Sequence, residues 1–316
     1  MRHLALILLV AMGLCREAMA DAYPEKRITV IVPFGAGSGT DSVARIVTQR
    51  LAETLKATIV VENRPGANGA IGAAAAARSA PDGYTLFFGG SSTQAANPNM
   101  LKSIQYDPKQ DFAPIARLGL FPYVLVINPT ISARNVGELV ALAREKPFSF
   151  AYANALGQLS GEILKRRASI AIEAIPYKSS PEAITDVVAG RVAMIFSDLV
   201  PAMPLIQSGQ LRALATITQG RSALLPELRS IPEQGYDFPN ITAWTGMFAP
   251  RNTPPEIIAR LSDLLRDVLA EPTIRQKLAE IGFEAQWLGP KDFTEKVNAD
   301  IALWATLVKE AGIERQ

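Results

Sequence analysis

The chain has 316 residues, 32 basic against 30 acidic side chains, a formal net charge of +2 and 48% hydrophobic residues. So even a charge argues against nucleic acid or an anionic membrane surface as the main partner, and the length suffices for two lobes of ordinary domain size. Its one histidine (His3) and one cysteine (Cys15) both lie within residues 1–20.

That opening segment reads as an export signal. Arg2 supplies a positive start, residues 4–14 an apolar run, and Ala18-Met19-Ala20 a small-x-small cleavage site before Asp21. A membrane anchor would need about 20 apolar residues, and Arg16 and Glu17 interrupt the run too early. Leu14 stands where a lipidated cysteine would follow a small residue, so the expectation is soluble export to the periplasm with cleavage after Ala20. Residues 21–316 contain neither His nor Cys. They can build no Ser-His-Asp triad, thiolate nucleophile, His/Cys zinc site or disulfide. Binding is therefore favoured over catalysis, with no metal or cofactor expected. Binding is also expected to show no histidine-type titration between about pH 5.5 and 8.

Residues 28–33 (ITVIVP) form a continuous β-branched run, followed by a glycine-rich turn and by residues 41–55, where Val43, Ile46, Val47, Leu51 and Leu55 have helical spacing. A second strand is predicted at 58–61, then a turn at 63–66 and an alanine-rich helix ending near Arg78. Pro81-Asp82-Gly83 turns into a third strand at 84–88. Buried strands alternating with helices indicate a parallel sheet covered on both faces.

The pattern restarts after extended segments at 112–118 and 123–128. Helices are predicted at 136–146, 159–167, 181–189 and 199–208, and strands at 148–152, 171–176, 192–197 and 211–217. The helix at 199–208 carries Pro201, tolerable in a first turn, and Pro204, which would kink it or delay its start. After a loop at 225–239, residues 242–250 are extended, and helices at 255–269, 272–281 and 291–311 fill the C-terminus, placed to cover the first unit. The fold class expected is α/β, two-lobed, each lobe a parallel-dominated sheet flanked by helices, with crossing strands between them. Lobe 1 comprises 21–121 and 235–316, and lobe 2 comprises 122–234. Ligands of such sheets sit beyond the carboxyl ends of the strands, here in a cleft between the lobes.

The sharpest local signal is Pro33-Phe34-Gly35-Ala36-Gly37-Ser38-Gly39-Thr40-Asp41, between a strand and a helix. Glycines let the backbone approach a ligand closely, Thr40 or Asp41 can cap the helix, and the helix N-terminus suits an anion. A phosphate loop would need a Gly-Lys-Ser/Thr ending, which is absent. A dinucleotide fingerprint fits Gly35 and Gly37 but meets Thr40 at its third glycine, although Glu62 mimics the ribose-binding acid. Export disfavours dinucleotides and leaves a carboxylate, against the competing reading of a turn that binds nothing. Further strand-end loops offer hydroxyls and amides: Ser91-Ser92-Thr93, the segment 154–158 beginning Asn154-Ala155, Lys178-Ser179-Ser180, and Asp198. Trp244, Trp287 and Trp304 are expected to pack in core or hinge, and Arg64 to be exposed in its turn.

In their joint order, several short segments resemble the receptor family of tripartite tricarboxylate transporters, the Bug-type solute-binding proteins. They include Val32-Pro33-Phe34 with residues 35–41, Val61-Glu62-Asn63-Arg64-Pro65-Gly66-Ala67, and Pro81-Asp82-Gly83-Tyr84-Thr85-Leu86. Asp111-Phe112-Ala113-Pro114-Ile115, Pro176-Tyr177-Lys178, Leu211-Arg212-Ala213-Leu214-Ala215 and Trp244 with Gly246 continue the series. The resemblance implies a monomeric periplasmic protein that closes around a small organic carboxylate and delivers it to membrane permease subunits. It implies that residues 35–41 and 178–180 clamp the carboxylate, with Ser91, Ser92, Thr93 and Asp198 lining the pocket. The chain departs from the family pattern in a shorter loop at 154–158 and in Ser179 where glycine is usual, so ligand identity stays open. Two other functions remain: a solute sensor reporting to a membrane signalling protein, and an exported hydrolase using Ser179 or Ser91 with Lys178. The second lacks any Ser-x-x-Lys or Gly-x-Ser-x-Gly element.

Overall fold

The β-branched run near the start of the chain is the hub of the first sheet. In the computed structural model, which describes residues 23–218 and 220–315, β1 (Ile28–Val32) pairs in parallel with β2 (Ile59–Asn63) and with β3 (Thr85–Gly90). The export signal, with His3 and Cys15, lies outside the described residues. Helix α1 (Gly39–Leu55) buries Val43, Val47 and Leu51, the stripe its spacing predicts, and α2 (Ala70–Ala77) uses alanines to lie close against β1 and β3. The sheet is completed by β4 (Phe112–Phe121), β10 (Ala243–Pro250) and β11 (Glu284–Leu288), in the order β11-β4-β10-β3-β1-β2.

The second sheet is built from the intervening chain: β5 (Tyr123–Ile127), β6 (Phe148–Tyr152), β7 (Ile172–Pro176), β8 (Met194–Asp198) and β9 (Arg212–Thr216), ordered β7-β6-β8-β5-β9. Its helices are α3 (Val136–Glu145), α4 (Ala155–Arg167), α5 (Ser180–Val188) and α6 (Leu199–Gln207). The chain passes from the first sheet to the second through Pro122 alone and returns through residues 217–242. Helices α7 (Pro255–Ala270), α8 (Pro272–Glu280) and α9 (Pro290–Ala311) follow, with α7 and α9 packed on β4. Helix α9 also touches α4, tying the C-terminus to the second lobe. One apolar cluster runs continuously from β1 and α1 through Phe121 and Tyr123 to Phe150 and Leu156.

Four features differ from the sequence expectation. Both sheets are mixed, because β10 runs antiparallel to β3 and β4, and β5 runs antiparallel to β8 and β9. Helix α4 starts at Ala155 rather than 159, since Asn154 caps it, and the supposed loop is its first turn. Pro204 lies inside α6, where it forfeits a single backbone bond in a nine-residue helix. Strand β11 stood among predicted helices; its half-buried residues alternate weakly, and it forms only by pairing at the sheet edge.

That pairing depends on Gly119. A Cβ there would overlap the carbonyl oxygen of Glu284 and meet the Phe283 ring. Replacing Gly119 with valine is predicted to push β11 off β4 and to lower stability by about 1–3 kcal/mol. A urea midpoint equal to that of the parent protein would count against this close-packed edge.

Candidate functional site

Ser38 starts the site. Its backbone is extended, with φ −65° and ψ 158°, and its Oγ accepts the Asp41 amide at 3.3 Å, so it is Ser38 that caps α1, in place of Thr40 or Asp41. Gly37 turns the loop at φ 76°, a conformation that favours glycine. Asp41 is buried and fully engaged: Oδ2 accepts from the Gly37 amide at 2.9 Å and Arg45 Nε at 3.0 Å, and Oδ1 from Asn63 Nδ2 at 2.8 Å. Asn63 Nδ2 also donates to the Phe34 carbonyl at 2.9 Å. Burial works against the Asp41 charge, yet hydrogen bonds from Arg45, Asn63 and Gly37 hold its carboxyl below the ordinary range. Asp41 therefore fixes the loop from behind.

Three helices of the second lobe start opposite this loop. Asn154 caps α4, its Oδ1 accepting the Gly157 amide at 2.9 Å; Ser179 precedes α5; Asp198 precedes α6. With α1, all four helix starts line one interlobe cavity of about 40 Å³, room for a few water molecules. Each start leaves backbone N–H groups without intrahelical partners and carries roughly half a positive charge. A cavity ringed by four such ends favours an anion although no lysine or arginine lines it. The two lobes meet closely here. A Cβ on Gly35 would lie 3.3 Å from Ser179 Cβ, and one on Gly39 would overlap Asp198 Oδ1 and stand 3.2 Å from the Phe121 ring.

Of the residues singled out from sequence, Phe34, Ser38, Gly39, Thr40, Ser91, Ser92, Asn154, Ser179, Ser180 and Asp198 line the cavity. Gly35, Ala36 and Gly37 shape the turn without lining it. Thr93 is buried and spends its hydroxyl on the Gly90 amide and carbonyl, both at 3.2 Å, and Ala155 is buried in the first turn of α4. Lys178 borders an adjoining cavity of about 290 Å³, with Tyr177 and Glu182. Sequence reasoning did not assign Phe121, Tyr123 or Ala243 to the cavity, and took Trp244 for packing. Trp244 does both: it is buried, and its Nε1 donates to Asp300 Oδ2 at 2.5 Å. These residues sit where β4, β5 and β10 cross between the lobes, a position visible only once the strands are paired. Arg64 stays at the surface, paired with Glu62 at 2.7 Å.

Asp198 is the one carboxyl group in the cavity wall. Its Oδ2 accepts from Ser180 Oγ at 3.4 Å, while its buried Oδ1 has no hydrogen-bond partner. Burial raises its pKa from the ordinary 3.8 to about 7, and the backbone N–H groups of Asp198 and Val200 together with the Ser180 hydroxyl offset this only in part. Tyr123, beside it, is pushed well above its ordinary value by burial and by the Asp198 charge. The window left free by the missing histidine therefore holds a carboxyl titration, that of a buried aspartate.

Two α/β lobes closing on a cleft lined by helix N-termini define a solute-binding protein. The chain belongs to the tripartite tricarboxylate transporter family receptor proteins, whose family model matches residues 43–313. It is 34% identical to the protein BugT of Bordetella pertussis over 311 residues, which cover 97% of this chain and 95% of BugT. Among solved structures, a protein of R. palustris with adipate is 32% identical, with a TM-score of 0.90, covering 93% of this chain and 100% of that one. MatC from Rhodopseudomonas palustris with bound malate is 29% identical, with a TM-score of 0.84, covering 90% and 100%. Members of this family are periplasmic solute-binding receptors. Among the described residues, no helix is long and apolar enough to cross a membrane, and no cluster of His, Cys, Asp or Glu could hold a metal ion.

The Asp198 shift carries a stability consequence of fixed sign. Between pH 3.8 and about 7 the folded state binds the extra proton, so stability falls as pH rises through that range. Asp198→Asn removes the charge, and its gain over the parent should grow from nothing near pH 4 to the order of 4 kcal/mol above pH 7. Denaturant melts of both proteins across this range check it. Parallel stability curves would show that Asp198 does not titrate in this way.

Proposed function

We propose that the mature chain captures a small organic carboxylate in the interlobe cleft and delivers it to the membrane permease subunits of a tripartite transporter. The observation that carries this is the convergence of four helix N-termini on one cavity with no basic side chain in its wall. Charge-assisted hydrogen bonds from such amides are worth about 1.5–3 kcal/mol each, and expulsion of water on closure strengthens them. The site uses Ser38, Gly39 and Thr40 from lobe 1 with Asn154, Ser179, Ser180 and Asp198 from lobe 2. Adipate and malate bound to relatives support a carboxylate ligand. The lobes are taken as 21–121 with 235–316, and 122–234. The chain acts as a monomer in the periplasm, released after Ala20, and turns nothing over.

The sensor reading differs only in the partner, and permease or kinase genes beside this one would separate the two. For the ligand, a thermal-shift screen of aliphatic dicarboxylates, citrate, acidic amino acids and aromatic acids should raise the melting midpoint for at least one carboxylate. A shift with NAD or a nucleotide and with no carboxylate would sink the proposal. Gly39→Val should abolish the shift while leaving the circular dichroism spectrum unchanged, because a side chain there strikes Asp198 and Phe121 and holds the lobes apart. Undiminished affinity in that variant would remove the α1 end from the site.

A further inference from the structure

A cavity built to receive a carboxylate holds a carboxylate of its own. Asp198 is 6% exposed, and its Oδ1 makes no hydrogen bond within the protein. That oxygen lies against Gly39, the first residue of α1, close enough to exclude a Cβ. The remaining cavity wall offers it no cation: the other polar residues there are Ser38, Thr40, Ser91, Ser92, Asn154, Tyr123, Ser179, Ser180 and the Trp244 indole. The indole N–H is spent on Asp300, and Ser38 Oγ and Asn154 Oδ1 are spent on capping.

A buried acceptor without a partner costs free energy, and a second carboxylate placed beside it adds like-charge repulsion. An N–H or O–H of the incoming ligand aimed at Oδ1 removes the first cost, and an ammonium group offsets the second as well. Because Oδ1 abuts the start of α1, a carboxylate seated on the α1 amides brings its adjacent carbon to Asp198. The donor therefore belongs on that carbon. Resting on the carboxylate reading above, we propose that Asp198 is the specificity-determining residue and that it selects carboxylates bearing a hydroxyl or ammonium group on carbon 2 over their unsubstituted parents.

Isothermal titration of the mature protein at pH 8 tests this with two series: propionate, lactate and alanine, and succinate, malate and aspartate. In at least one series a 2-substituted acid should bind about tenfold or more tightly than its parent, a preference worth about 1.4 kcal/mol. Whether the hydroxy or the amino member leads identifies the donor. Asp198→Ala, which removes the acceptor, should shrink the ratio below about threefold, chiefly by tightening the unsubstituted acid, and Asp198→Asn, which keeps an acceptor but loses the charge, should lower the ratio most for the ammonium-bearing acid. An unsubstituted acid that binds the parent protein as tightly as its 2-substituted forms would overturn the assignment while leaving the carboxylate reading intact. So would a preference that survives in both variants. Failure of every acid to bind all three proteins would remove the carboxylate reading itself, and the role of Asp198 with it.

Discussion

Four helices start at one cleft, where their first backbone N–H groups lack intrahelical partners, and much of the structure around them serves to keep those ends in place. Backbone dipoles attract an anion only at close range and only if they are held still, since their effect fades within about one helical turn. The protein meets this demand with side chains that point away from the cleft. Asp41, Asn63 and Arg45 brace the loop before α1, and Asn154 ties down the first turn of α4. The charge of Asp41 is consumed in this bracing, which explains how an aspartate can stand next to an anion site without repelling its ligand.

Much of this arrangement was legible in the sequence because it is local. A β-branched run and three glycines in five residues specify strand, turn and helix start without reference to the rest of the chain, although the cap falls on Ser38 and not on Thr40 or Asp41. The Asn154 segment misled for a local reason as well: Gly157 and two short apolar residues hide the helical period, and the cap becomes evident only from the bond between Asn154 Oδ1 and the Gly157 amide. Lys178 stands in the Pro176-Tyr177-Lys178 segment and was expected to clamp the carboxylate with Ser179 and Ser180, yet it borders the neighbouring cavity. Phe121, Tyr123 and Ala243 could not be read as lining residues at all. Phe121 and Ala243 reach the cleft because β10 pairs with β4, and Tyr123 because β5 pairs with β8 opposite Asp198; such long-range pairing leaves no mark on the spacing of neighbours.

The absence of histidine from residues 21–316 excludes an imidazole titration but not a carboxyl one. Titration near neutrality needs no imidazole when a carboxyl group is taken out of water, as Asp198 is. The same absence keeps its force elsewhere. With no imidazole or thiol in residues 21–316 and no basic side chain at the wall, the cavity offers amides, hydroxyls and a single aspartate.

The aspartate also bears on when the lobes close. Lobe 2 supplies three helix ends and Asp198, whereas lobe 1 supplies the α1 end and Ser91 and Ser92, which open the π-helical segment Ser92–Ala96 after β3. Phe121 and Tyr123 flank Pro122, the single residue of the outward crossing, so a rotation there would draw Asp198 away from Gly39. With the lobes apart, Asp198 is hydrated and its charge costs little. Drawing them together strips that water and leaves Oδ1 unpaired against Gly39, a cost that opposes closure in the absence of a ligand. A ligand can shift such an equilibrium only by what it contributes to one state and not the other. A donor that pairs with Oδ1 contributes in the closed state alone, so the group that selects the ligand is also the group that makes closure depend on it.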